Sequence, residues 1–135
     1  NFNLEEVQLF NKLKIEKNLF FKSGNDKTLR KLYQHASLFI TTSKNEGFGL
    51  TPLEAMSCGC PTICSNIPVF KEILGNSCSY INPNDITDIK KKMENLIKSK
   101  NKQKILIKRG FLKAKKYSWD KCSLETIKIY KKVLN

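Results

Sequence analysis

Histidine is almost missing from this 135-residue sequence, which holds only His35. The five cysteines are an odd number, and only Cys58 and Cys60 form a close C-x-C pair, with Cys64 four residues on. One histidine and a single pair cannot complete a usual zinc set. No D-x-D metal motif is present either. The cysteines therefore read as small buried hydrophobes held reduced, as in a cytoplasm. Long apolar runs are also missing: none approaches the roughly 18 residues that cross a bilayer. No charged-then-apolar leader opens the sequence, so no secretory signal is visible. The first residue is not Met, which reads as a fragment of something longer.

Acidic charge is the other scarcity. Twelve Asp and Glu face 25 Lys and Arg, a net +13. Residues 101–135 carry +9 of this, eleven basic residues against Asp120 and Glu125. Such an excess favours anionic partners. Nucleic acid is not expected, because no RNP, zinc-finger or helix-turn-helix pattern accompanies the charge. An acidic membrane surface and a merely solvated, lysine-rich helix surface both remain open.

The length suits one small domain. Along it, residues 3–13 fit a short helix capped by Asn3 with Glu6 three residues on. Asn18–Lys22 reads as a strand, and Ser23–Asp26 as a turn with Asp26 as N-cap. Lys27–Ala36 reads as a helix turning Leu29, Leu32 and Tyr33 inward; His35 near its end suits the helix C-terminus. Leu38–Thr41 and Pro61–Ser65 read as buried strands, and Cys78–Asn82 as a further short one. Between the last two, a helix from about Pro68 is stopped by Gly75. Asp85 opens an amphipathic helix to Ser99, with Ile86, Ile89, Met93, Leu96 and Ile97 on one face. Residues 102–135 form a basic helical tail broken around Tyr117–Trp119. Its stripe of Trp119, Cys122, Thr126, Ile129 and Val133 is expected to pack on the domain. Alternating strands and helices predict a parallel sheet.

The stretch that organises the rest is TTSKNEGFGLTPLEAMSCGCPTIC, residues 41–64. Polar Ser43-Lys44-Asn45 ends a strand, and Gly47-Phe48-Gly49 lets a ligand approach the backbone closely. Thr51 suits an N-cap and Pro52 the first helical position, so a helix is expected to begin there. Free amides and the positive dipole end would then face the glycine turn, as in an anion site. Glu46 and Glu54 bracket the turn, seven residues apart, and a carboxylate can accept from a pair of vicinal hydroxyls. Amides for phosphate and carboxylates for hydroxyls suit a sugar nucleotide. The plainer alternative is an ordinary strand–turn–helix connection with Glu54 as a solvated first-turn acid.

EGFGLTPLEAMSCGCPTI closely resembles the E-x7-E signature of the family 4 retaining glycosyltransferases. The matching residues are Glu46, Gly47, Phe48, Gly49, Leu50, Leu53, Glu54, Ala55, Met56, Gly59 and Pro61. The upstream KTLRKLYQHASLFITTS and the downstream YSWDKC resemble flanking segments of the same family, and the resemblance covers nearly the whole sequence. It implies the C-terminal half of a GT-B donor-binding domain: α/β, with a Rossmann-like parallel sheet and helices on both faces. It also implies that Glu46 acts at the donor sugar and serves catalysis. Gly47, Phe48, Gly49 and Leu50 would contact sugar and diphosphate, with Ser43 beside the pocket, and Glu54 would grip the ribose. The reaction implied is transfer of a sugar from a nucleotide-diphosphate sugar to an acceptor hydroxyl with retention, in cell-surface polysaccharide or glycolipid synthesis. No cofactor and no metal are expected, the nucleotide sugar being substrate. The partners implied are that donor and an N-terminal acceptor-binding domain of the same protein; the basic charge adds an anionic membrane surface, for a cytoplasmic protein peripheral at the inner membrane face.

The family's C-terminal domain opens with a strand, a glycine turn and an Arg/Lys pair that neutralises the diphosphate. Nothing here matches that opening. Residues 1–135 alone are therefore expected to be inactive. A non-catalytic half-domain that binds a sugar nucleotide or a protein stays open as the alternative. Base, sugar and acceptor are left open by the motif.

Overall fold

The computed structural model describes residues 2–134. Seven helices and three strands are defined among them. In order they are α1 (Leu4–Leu13), α2 (Asp26–His35), β1 (Phe39–Thr41), α3 (Leu50–Ser57) and β2 (Thr62–Ser65). α4 (Pro68–Leu74), β3 (Ser79–Ile81), α5 (Ile86–Lys98), α6 (Lys100–Ala114) and α7 (Trp119–Leu134) follow. The strands form one sheet in the order β1-β2-β3, parallel throughout. Phe39 pairs with Thr62 and Ile40 with Ile63, and in turn Cys64 pairs with Tyr80. The α/β architecture with a parallel sheet flanked by helices is thus as the alternation predicts.

Side chains alternate across β2, as a pleated strand requires. Cys64 faces one layer with Leu53 and Met56 of α3 and Phe70 and Leu74 of α4. Ile63 faces the other with Ile81, Leu96 and the half-buried Ile89 and Met93 of α5. All four residues of β2 are buried, so this strand is the centre of the core. α6 lies close on α3: a Cβ on Gly110 would sit 2.9 Å from Met56 Cγ. Tyr80 ties sheet to helix, its hydroxyl 2.7 Å from the Gly75 carbonyl and 3.0 Å from that of Phe70. Gly75 ends α4 at φ 57°.

Cap chemistry sets most helix starts. Asn3 and Glu6 form a reciprocal capping box on α1. Asp85 accepts from Thr87 and Asp88 amides at α5, and Ser99 caps α6. At α2 the cap is Asn25, not Asp26: the Asn25 side-chain oxygen Oδ1 accepts the Thr28 amide at 3.1 Å, leaving Asp26 in the first turn.

Three further expectations are corrected. Asn18–Lys22 is no strand: Asn18 ends a short 3-10 turn, Phe20 is 76% and Phe21 50% exposed, and no strand among the described residues offers this segment a ladder. An extended segment becomes a strand only when its amides find partners. Of the apolar faces, α2 turns only Tyr33 fully inward, and Ile86 of α5 is exposed. The third correction is α7. None of its side chains is buried, and Trp119, Cys122, Thr126, Ile129 and Val133 all lie in solvent. Its amphipathic period is real, yet no surface of the described residues receives the stripe.

Cys60, Cys64 and Cys78 are buried free thiols, as small hydrophobes would be; Cys58 is half-buried and Cys122 exposed. No helix among the described residues is long and apolar enough to cross a membrane.

Candidate functional site

The glycine turn leaves the carboxyl end of β1, the edge where open parallel sheets present ligand sites. Thr41 closes the strand and its hydroxyl lies 3.3 Å from Ser43 Oγ, holding Ser43 half-buried beside the turn. Buried Ser65, at the end of β2, donates to the Thr41 carbonyl at 3.4 Å and fixes the neighbouring strand end.

The helix after the turn starts two residues earlier than Thr51 and Pro52 suggest. Its N-cap is Gly49, at φ 99° and ψ 48°, and no side chain caps it. The left-handed backbone explains why: only glycine enters it without strain, and it aims the next amides outward. Thr51 and Pro52 fall inside the first turn. The amides of Gly47, Phe48, Gly49, Leu50 and Thr51 donate to no acceptor among the described residues. A run of unpaired donors at a helix N-terminus is a ready receptor for an anion.

Packing holds this turn from below and behind. A Cβ on Gly49 would lie 2.9 Å from Phe70 Cε1, so α4 presses directly beneath it. Phe48 stacks edge-on against Tyr117, centroids 5.4 Å apart at 88°, and the Tyr117 hydroxyl donates to the Ile73 carbonyl at 3.3 Å. Gly47 differs: a Cβ there would meet nothing within 4 Å, and its φ is not positive. The fold therefore makes no demand for glycine at 47.

Glu46 stands exposed just before the turn, and Glu54 exposed on α3. Glu54 lines a cavity of about 300 Å³ with Asp26, Leu29, Arg30, Tyr33, Ser57 and Cys58. Glu46, Ser43 and residues 47–50 lie outside that cavity. Tyr33, expected only as a core residue of α2, reaches Glu54: its hydroxyl lies 3.4 Å from Oε2. Burial, then the Glu54 charge, pushes the Tyr33 phenol up to about 12. Burial, with Cys58 nearby, likewise pushes the Cys60 thiol up to about 11. Neither the tyrosine nor Arg30 is legible from spacing alone, because their meeting with Glu54 depends on how α2 docks on α3. Among the described residues no group of three His, Cys, Asp or Glu side chains is arranged to hold a metal ion.

A parallel sheet flanked by helices, with a glycine turn and a helix N-terminus at its carboxyl edge, defines the class: an open α/β domain. The family follows. The profile of the glycosyl transferases group 1 family matches residues 3–113, and the chain belongs to that family. Over 106 residues it is 39% identical to the O-antigen chain mannosyltransferase B of Escherichia coli, covering 78% of this chain and 28% of that protein. Over 124 residues it is 32% identical to the GDP-mannose:cellobiosyl-diphosphopolyprenol alpha-mannosyltransferase of Komagataeibacter xylinus, covering 89% and 32%. Among solved structures, sucrose-phosphate synthase from Thermosynechococcus elongatus superposes with a TM-score of 0.85 at 19% identity, covering 96% of this chain and 34% of that one. That likeness establishes the GT-B fold type. The chain spans about a third or less of the length of these proteins.

Proposed function

We propose that these residues hold the donor of a retaining hexosyltransferase acting in cell-surface polysaccharide or glycolipid synthesis. The observation that carries this reading is the run of unpaired amides from Gly47 to Thr51, which lies between Glu46 and Glu54 in the sequence. In the proposed complex the amides and the α3 dipole receive the diphosphate. Glu54 accepts from the ribose hydroxyls. Glu46 contacts the donor sugar at the reacting end, with Ser43 beside it. The open space over Gly47 supports close approach of the donor to the backbone. As the nucleotide diphosphate departs, its growing charge is stabilised by donors already in place, which is why no metal and no cofactor is invoked. The names of the relatives favour mannose from GDP-mannose, and a lipid-diphosphate-linked saccharide as acceptor.

The remainder of the enzyme completes this picture: an N-terminal acceptor-binding domain, and the Arg/Lys pair for the diphosphate. The bare apolar stripe of α7 and the unpaired outer edge of β1 support an interface with that remainder. Residues 1–135 alone are accordingly proposed to be inactive. A second contact is with the inner membrane face. Lys91, Lys92, Lys102 and Arg109 line a groove with Leu96, Leu106 and a single acid, Asp88, and none of the four basic residues is in an ion pair among the described residues. A cationic lining of this kind suits acidic headgroups.

The test is calorimetric titration of GDP into the full-length protein. Glu54→Ala is expected to weaken binding by roughly tenfold or more, the scale of a hydrogen-bonded charge. Unchanged affinity would sink the ribose assignment. Turnover of GDP-mannose by the same protein excludes a non-catalytic half-domain, and the anomeric coupling of the product reports retention or inversion.

A further inference from the structure

We infer that Tyr33 is a positioning residue for Glu54: its hydroxyl sets which carboxylate oxygen is left for a ligand diol, and so tunes selection of ribonucleotides. The inference rests on the reading of Glu54 as the ribose contact. Glu54 is exposed on α3, and a glutamate there samples several rotamers. Tyr33 is the reverse. Its ring is buried among Ala55, Cys60 and Phe39, edge-on to Phe39 at 5.7 Å and 77°. It therefore offers Glu54 a fixed donor from a different helix, 21 residues away in sequence.

The phenol donates to Oε2 across 3.4 Å, longer than the 2.7–2.8 Å usual for such a pair. A small rotation of the glutamate tightens it. Oε2 keeps a second lone pair and Oε1 keeps both, enough to accept from two vicinal hydroxyls. Both side chains line the same cavity, so a ligand on Glu54 lies beside Tyr33. The raised phenol pKa keeps the hydroxyl protonated, hence a donor, across the physiological range. Pre-setting the carboxylate lowers the ordering cost when the diol binds.

The experiment compares GDP with 2′,3′-dideoxy-GDP on the full-length protein, by calorimetry, in wild type, Tyr33→Phe and Glu54→Ala. Phenylalanine keeps the ring packing and removes only the hydroxyl. Tyr33→Phe is expected to lose roughly fivefold in GDP affinity, the scale of one hydrogen bond, with dideoxy-GDP affinity unchanged. The ratio of two affinities on one preparation does not depend on the fraction folded. Equal losses for both ligands would reduce Tyr33 to a structural role, and no loss for either would overturn the inference. If Glu54→Ala leaves the ratio of the two ligands untouched, the ribose reading itself has failed. If it lowers the ratio while Tyr33→Phe does not, only the role of Tyr33 has failed.

Discussion

Two glycines two residues apart make opposite demands, and replacing each by alanine separates fold from function. At Gly49 alanine meets two obstacles. Its backbone must hold φ 99°, which costs an L-residue roughly 1–2 kcal/mol. Its methyl must also lie 2.9 Å from Phe70 Cε1 and 3.1 Å from Cδ1, and Phe70, on α4, is wholly buried with little room to retreat. Overpacking of this kind adds about 1–3 kcal/mol. The sum, about 2–5 kcal/mol, is a large part of the 5–15 kcal/mol that holds a domain folded. In thermal unfolding followed by circular dichroism, Gly49→Ala should lower Tm by roughly 10 °C or more. Gly47→Ala meets neither obstacle, so stability should hold or rise by up to about 1 kcal/mol. Its methyl would instead occupy the space proposed for the donor, so GDP affinity of the full-length protein should fall at least tenfold. The reasoning is refuted if Gly47→Ala unfolds as readily as Gly49→Ala, or binds GDP as tightly as wild type.

Tyr80→Phe removes the hydroxyl that reaches the Gly75 and Phe70 carbonyls, and should cost about 1–2 kcal/mol in urea unfolding while leaving GDP binding intact. Alkaline titration should weaken the fold. Tyr33 and Cys60 hold their protons more tightly folded, at about 12 and about 11, than their ordinary 10 and 9, so their stabilisation is complete below pH 9 and is lost as pH rises toward 12. Tyr33→Phe should flatten the part of that decline between pH 10 and 12; an unchanged profile counts against the burial assigned to the phenol. Amide hydrogen exchange in the 135-residue chain should be fast through α7 and slow through β2, and α7 should gain protection in the full-length protein. Protection of α7 in both would show that its stripe is covered within residues 1–135.

What was legible in the sequence was whatever local chemistry decides. The Asn3/Glu6 capping box, the Asp85 cap and the Gly75 stop each depend on residues within a turn of one another, and each stands where expected. The core strands were legible because Ile63 and Cys64 feed opposite layers of one buried run. The E-x7-E stretch was legible as a unit, but its helix start was not. Propensity favoured Thr51 and Pro52, while the left-handed Gly49, wedged over Phe70, began the helix at Leu50. Contacts distant in sequence were beyond pattern reading. Tyr33 against Glu54 and Phe48 against Tyr117 depend on how the helices dock. Asn18–Lys22 carried strand composition, yet composition supplies no neighbour to pair with.

That segment, the outer edge of β1 and the stripe of α7 share one physical condition. None of the three has a partner among the described residues. An isolated 16-residue helix is marginal in water, and the more so with Trp119 and Val133 left about three-quarters exposed. Exposed parallel edges and apolar faces are stable only when covered. The buried layers around β2 need no such help: they close over Phe70, Met56 and Ile63 without it. The contrast assigns the two tasks to different parts of the chain. Residues 26–117 hold the glycine turn in place through their own packing. On the reading proposed above, the flanks, α1 and residues 18–22 before them and α7 after, meet the remainder of the enzyme; the chain spans a third or less of the length of its relatives.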